Sequence, residues 1–167
     1  MTAVPSPAPY SVLMVCMGNI CRSPTAHGVL WEKVKQHGWS DWLHVDSCGT
    51  HAYHVGEAPD RRSQQHALQR GYDLSALRAR QLSPEDFERF NLILVMDHEN
   101  MTRARALCPA VHRHKLHHLT EFCREMRSPV VPDPYYGGHQ GFEHVLELIE
   151  DACQGVLAHV YKEHLTQ

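Results

Sequence analysis

The sequence predicts an α/β fold built on a parallel sheet with helices packed on both faces. Two short apolar runs, SVLMVC at 11–16 and NLILVM at 91–96, lack an alternating polar face, as expected of strands buried on both sides. Segments of helical periodicity alternate with strand-like ones along most of the chain. The first apolar run also feeds directly into a glycine-containing turn and a helix start. In open parallel sheets the reactive groups gather at the carboxyl ends of the strands, so the tip of this run is where chemistry is expected.

Taken in order, 11–16 is the first strand. Gly18 and Asn19 interrupt it, and Ser23-Pro24 resembles an N-cap followed by proline at the first helical position. Ala26, Val29, Leu30, Lys33 and Val34 follow at helical spacing, and His37-Gly38 supplies the stop. The stretch 43–47 (LHVDS) reads as a second strand. A helix over 62–70 is closed by Gly71, and another begins at Ser83-Pro84, with Asp86 three residues past the cap. The stretch 91–96 is the strongest strand signal. Asp97 caps the helix that carries Met101, Ala104 and Leu107, and Pro109 limits its continuation. A last strand is predicted within 111–119. Phe142, Val145, Leu146, Ile149, Val156 and Val160 mark a long closing helix from about 141 to 165, in which Gly155 either weakens the helix or permits close packing.

The chain has 167 residues, the size of one ordinary domain. Residues 1–9, rich in proline and without a basic segment, are expected to be a loose leader ahead of a single domain at 10–167. Sixteen Lys and Arg against nineteen Asp and Glu give a net charge of -3, which argues against a nucleic-acid-binding surface. No apolar stretch approaches the eighteen residues of a membrane span, so no membrane insertion and a cytoplasmic location are expected. The six cysteines sit mostly in apolar or strand-like surroundings of a chain large enough to fold without staples, which fits reduced thiols.

The segment Cys16-Met17-Gly18-Asn19-Ile20-Cys21-Arg22-Ser23 joins strand to helix. Such a turn aims successive backbone N–H groups inward, and the helix N-terminus adds partial positive charge. That cradle suits a tetrahedral dianion and favours a thiolate at its centre. Arg22, six positions after Cys16, can fold back and offer its planar fork to two phosphoryl oxygens. Ser23 can donate to the sulfur, and Asn19 tolerates a left-handed backbone. No Lys-Ser or Lys-Thr pair closes the turn and no GxGxxG is present, which excludes the common nucleotide-binding loops.

Thiolate attack on a phosphate ester leaves an oxyanion that needs a proton, and a carboxylic acid on another loop should supply it. Asp133, held between Pro132 and Pro134 and followed by Tyr135-Tyr136-Gly137-Gly138, is the candidate. The adjacent rings can grip an aromatic substrate or serve as packing residues.

With these pieces in view, the chain closely resembles the low-molecular-weight protein-tyrosine phosphatases and looks like a bacterial member. The resemblance is carried by VCMGNICRSP at 15–24, DSCGTHAYHVG at 46–56, Ala79-Arg80-Gln81, VMDHEN at 95–100 and DPYYGG at 133–138. It implies a three-layer α/β/α sandwich, Rossmann-like, around a four-stranded parallel sheet. It implies Cys16 as nucleophile, Arg22 as phosphate clamp and Asp133 as general acid and then base, without metal or cofactor. It assigns loop support to Asn19, Ser23 and Ser47, and places Ile20 and Tyr53 with Tyr135 and Tyr136 around the substrate ring. It implies phosphotyrosine proteins as substrates, a tyrosine kinase among them, and a reversible disulfide between Cys16 and Cys21. A monomer is the favoured state. One departure stands out: many members carry a histidine two residues before Ala79-Arg80-Gln81, where it joins a bond network behind the loop, and Leu77 stands there in this chain.

The rival readings are a thiol-dependent arsenate reductase and a non-catalytic phosphate-binding module. The first needs two further, closely spaced cysteines, whereas Cys108 and Cys123 are fifteen residues apart. The second would be expected to have lost one of Cys16, Arg22 and Asp133. His112, His114, His117 and His118 match no recognised metal-ligand spacing, although on a regular strand His112, His114 and His118 would share a face. Arg61, Arg62 and Arg70 are expected on a solvated helix face, and Cys48, Cys123 and Cys153 in the core.

Overall fold

The computed structural model of the chain describes residues 7–166, apart from the Tyr136 side chain. Four strands, β1 (Tyr10–Cys16), β2 (Leu43–Gly49), β3 (Leu92–Val95) and β4 (Leu116–His118), form one sheet in the order β2-β1-β3-β4. All three pairings are parallel, with Met14 opposite both Ser47 and Leu94. Five α-helices connect and close the sheet: α1 (Arg22–Gln36), α2 (Arg61–Gln69), α3 (Asp86–Arg89), α4 (His98–Leu107) and α5 (Gly138–Val160).

The side-chain alternation of β1 divides the core into two layers. Val12 and Met14 pack with Val29 and Leu30 of α1 and with Ile149 and Cys153 of α5. Leu13 and Val15 point the other way, toward Phe87 of α3 and Ala104 of α4. This is the expected three-layer sandwich, and it explains why neither β1 nor β3 shows a polar face: both central strands are buried on both sides. Among the described residues no helix is long and apolar enough to cross a membrane.

Local chemistry sets the helix ends. Asp60 caps α2 by accepting from the backbone of Arg62 and Ser63. Asp97 caps α4 in a reciprocal box with Asn100. α5 is the expected closing helix, and Gly155 in it serves close packing: a Cβ there would lie 1.7 Å from the Phe122 carbonyl oxygen.

Several sequence expectations are corrected. α1 begins at Arg22 with Cys21 at the cap position, so Ser23 lies inside the helix and its hydroxyl is used elsewhere. The helix expected from Ser83 begins only at Asp86 and is four residues long, while the expected reciprocal bond does form, the Asp86 carboxylate accepting from the Ser83 backbone N–H at 2.9 Å. The strand expected within 111–119 shrinks to Leu116–His118, because Ala110–Lys115 forms tight 3-10 turns after Pro109. The shared histidine face therefore does not form, and among the described residues no group of three or more His, Cys, Asp or Glu could hold a metal ion. Arg70 is not a solvated cation: it pairs with Glu143 and Glu150 of α5. Of the expected leader, residues 1–6 lie outside the described part, while the Ala8 carbonyl accepts from His164 at 2.6 Å. Cys48 and Cys153 are fully buried and Cys123 partly so.

Candidate active site

The loop between β1 and α1 lies at the carboxyl edge of the sheet, as parallel topology requires. Cys16 closes β1 and is buried, with its sulfur 3.0 Å from the Ser23 hydroxyl. Asn19 adopts φ 58°, the left-handed region that asparagine enters more readily than most residues. Its amide donates to Ser23 Oγ at 2.8 Å, and its carbonyl accepts the Arg80 backbone N–H at 3.0 Å. The loop is braced from below by neighbouring backbone. Thr50 and His51 donate to the carbonyls of Cys16 and Met17, and Asp60 donates to that of Ile20 at 2.7 Å. Gly49 is required for this close approach, since a Cβ there would meet the Met17 carbonyl at 2.6 Å.

Arg22 is almost completely buried at the first turn of α1. One terminal nitrogen, Nη1, donates to Asp97 Oδ2 at 2.7 Å and to the Val131 carbonyl at 2.9 Å. Burial works against the guanidinium charge, but Cys16, Asp97 and Asp133 around it outweigh that effect and hold its pKa above the ordinary value. These two bonds fix the side chain from behind, with the loop on its other side. The second loop cysteine is held in its protonated form: burial, followed by the charge of Asp60, pushes Cys21 up to about 12. Both loop cysteines are free thiols.

Cys16, Met17, Gly18, Ile20, Cys21 and Arg22 line a cavity of about 350 Å³. Its opposite wall is built from His54, Asp133 and Tyr135. Asp133 is exposed and begins the short turn Pro134–Tyr136, where its Oδ1 accepts from the Tyr135 backbone at 3.0 Å. The proline–aspartate–proline sequence thus places a carboxylate on the wall of the cavity that Cys16 lines, from a separate loop. A larger open groove of about 780 Å³ between Lys33, Arg124 and Asp151 is lined by no cysteine among the described residues.

The structure therefore brings together Cys16, Arg22 and Asp133, with Ser23 and Asn19 behind them. The Ser47 hydroxyl is 2.9 Å from Nδ1 of His27, a half-buried residue of α1. Burial, partly opposed by Asp46, lowers the His27 pKa. Tyr53 is 73% exposed and stacks on His51 outside the cavity wall, and the neighbouring His54 is the residue that lines it. Sequence reasoning missed His54; its one signal was Glu57 three positions on, which holds its Nδ1. Nothing is described of the Tyr136 side chain. Leu77 packs partly buried against the core, while the bonds behind the loop run through Asn19, Ser23 and Arg80. Arg80 is itself held by Asp46 and Asp86. Cys108 ends α4 and Cys123 lies beside α5, in separate parts of the fold.

Comparison with known proteins agrees with this geometry. The model of the family described as low molecular weight phosphotyrosine protein phosphatase matches residues 11–166. The low molecular weight protein-tyrosine-phosphatase YfkJ of Bacillus subtilis is 34% identical over 92% of this chain and 97% of its own length. The human low molecular weight phosphotyrosine protein phosphatase is 36% identical over 90% of this chain and 95% of its own. Among solved structures, a protein tyrosine phosphatase from Entamoeba histolytica with Hepes in the active site superposes with a TM-score of 0.89. That structure is 35% identical and covers 92% of this chain and 97% of its own.

Proposed function

The chain belongs to the low molecular weight phosphotyrosine protein phosphatases, and from that premise we propose how its residues divide the work. The protein is a tyrosine phosphatase, a phosphoric monoester hydrolase acting on phosphoproteins. In our reading Cys16 is the nucleophile, Arg22 the phosphate clamp and Asp133 the general acid and base. One observation carries it: Cys16, Arg22 and Asp133 line a single cavity, the first two from the β1–α1 loop and the third from an independent wall.

The reaction runs in two steps. The Cys16 thiolate attacks phosphorus in line with the aryl ester oxygen, forming an S–P bond as the P–O bond breaks. Protonated Asp133 gives its proton to the departing phenolate. Asp133, now a carboxylate, takes a proton from water, whose oxygen attacks phosphorus. The S–P bond breaks, phosphate leaves and the thiolate is restored. Negative charge on the equatorial oxygens is met by the inward N–H groups of residues 17–22 and by Arg22, which is already held in place by Asp97 and Val131. Cofactors and metals have no part in this scheme.

Selectivity for phosphotyrosine follows from reach. Cys16 is buried and lines the cavity; in this reading its sulfur is the floor, an aryl phosphate spans the depth between Ile20, His54 and Tyr135, and phosphoserine falls short. Exposed Tyr53 belongs to the outer rim in this reading, and Tyr136 is kept as a further candidate for the substrate ring. Substrates are phosphotyrosine proteins, a tyrosine kinase among the candidates, and a Cys16–Cys21 disulfide would switch the site off. The domain at 10–167 acts as a single unit.

The test compares phosphate release from a phosphotyrosine peptide and a matched phosphoserine peptide between pH 5 and 8, without metal. The reading requires fast, tyrosine-selective turnover that Cys16→Ser abolishes. Absence of turnover in the fully reduced protein would sink it, and arsenate reduction with a thiol donor would then be assayed.

A further inference from the structure

Arg62 plays no part in the reaction scheme, yet it connects the two walls of the site. It is the second residue of α2, and its backbone N–H donates to the Asp60 cap at 2.9 Å. Asp60 in turn donates its own N–H to the Ile20 carbonyl, so the start of α2 is tied to the phosphate loop. From this anchor the half-buried side chain crosses to the acid loop. Its guanidinium carbon lies 5.0 Å from the centre of the Tyr135 ring and 4.9 Å from that of Phe142.

The two rings differ in how they are held. Phe142 is buried in α5 and stacks on His66 at 5.2 Å, so it is part of the packed scaffold. Tyr135 sits in a three-residue turn, is 58% exposed and lines the cavity. The cation therefore links a fixed ring to one that touches the substrate space, and both contacts lie within the range of favourable cation–π attraction. Asp60 Oδ1, 3.6 Å from the Arg62 Nε, offsets part of the charge and makes simple attraction of anions a poor account of the residue.

Building on the phosphatase reading above, we propose that Arg62 is a positioning residue for the aryl-binding wall. It holds the Tyr135 ring in place before substrate arrives, and thereby sets affinity for aromatic phosphate esters without altering the phosphate site. A wall ordered in advance spares the complex the entropy of fixing it on binding.

The experiment is steady-state kinetics on the full chain with a phosphotyrosine peptide, using inorganic phosphate as a competitive inhibitor that reads the loop alone. Arg62→Met, which keeps the apolar stem and removes the cation, should raise KM about three- to tenfold. Both kcat and the phosphate inhibition constant should stay within about twofold. Arg62→Lys should restore part of the loss. In a Tyr135→Ala background Arg62→Met should have little further effect on KM, because the ring it positions is already gone and only the Phe142 contact remains. An unchanged KM, a parallel rise in the phosphate inhibition constant, or fully additive effects in the double variant would each overturn the proposal. Should Arg62→Met not fold, Arg62→Lys carries the same cycle against Tyr135→Ala. Failure of the underlying phosphatase reading looks different, because the wild type itself would then not turn over the peptide.

Discussion

The Ser23 hydroxyl lies 3.0 Å from the Cys16 sulfur while accepting the Asn19 amide at 2.8 Å. Because Asn19 occupies a lone pair of Ser23, the hydroxyl hydrogen is left for the sulfur, with the Cys48 carbonyl at 3.3 Å as the weaker alternative. A thiolate that is being formed as a leaving group gains most from that bond. Ser23→Ala should therefore slow hydrolysis of the cysteinyl-phosphate more than its formation. A hydrogen bond to a charged atom corresponds to a loss of about 10- to 100-fold. Rapid-mixing experiments should show a burst of phenol in the variant; a slow first phase of equal size would assign Ser23 to the first step instead.

Asp133→Ala should lower kcat by about two to four orders of magnitude for phenyl phosphates, the usual scale of general acid–base catalysis. The loss should shrink as the leaving phenol becomes more acidic and needs its proton less. A constant loss across a leaving-group series would argue that Asp133 only shapes its turn through the Tyr135 backbone bond.

Helix propensity and packing make opposite forecasts for Gly155→Ala. Propensity alone favours alanine by about 1 kcal/mol. The added Cβ, however, would meet backbone oxygen of Phe122, which cannot swing aside as a side chain could. Overpacking should prevail, with a net destabilisation of about 1–3 kcal/mol. Thermal melts read the sign directly, and a raised Tm would contradict the packing account.

Acid should weaken the fold through His27. Burial lowers its pKa below the ordinary 6.5, so the folded protein binds this proton less readily than the unfolded chain. Above about pH 6.5 both states are neutral there and nothing is lost. Below it the unfolded state takes up the proton first, and stability falls as pH drops toward the folded-state value. Denaturant midpoints at pH 7.5 and 5.5 should therefore fall further apart in the wild type than in His27→Gln. Equal falls in both would place the acid sensitivity elsewhere.

Much of this fold could be read from residue order because its central strands advertise themselves. β1 and β3 are buried on both faces, so their apolar runs are unbroken and were found within a residue at each end. The phosphate loop was equally visible, since Cys16, Gly18, Asn19, Arg22 and Ser23 act within eight consecutive positions. Ser23 was misread as a cap because a hydroxyl near a helix start can serve either the backbone or a sulfur, and only the folded loop decides. β4 was expected within the right stretch but too long, because three residues carry no usable period and the preceding turns are stabilised locally after Pro109. Arg62 and Arg70 looked solvated because their partners on the acid loop and α5 are more than seventy positions away. Distance along the chain hid His54 less than irregularity did: it lies in a turn, where neither helical nor strand spacing announces which side chain faces inward.

β2 is an edge strand, and an uncovered edge is a template for pairing with another chain. At its carboxyl end that template is closed: Gly49 donates to the Arg80 carbonyl and accepts from Leu82, with Gln81 bridged alongside. The Arg80 backbone also holds Asn19, so a single short segment shields the sheet edge and steadies the nucleophile's loop. Damage to that segment would thus express itself twice, as lost turnover and as self-association into aggregates.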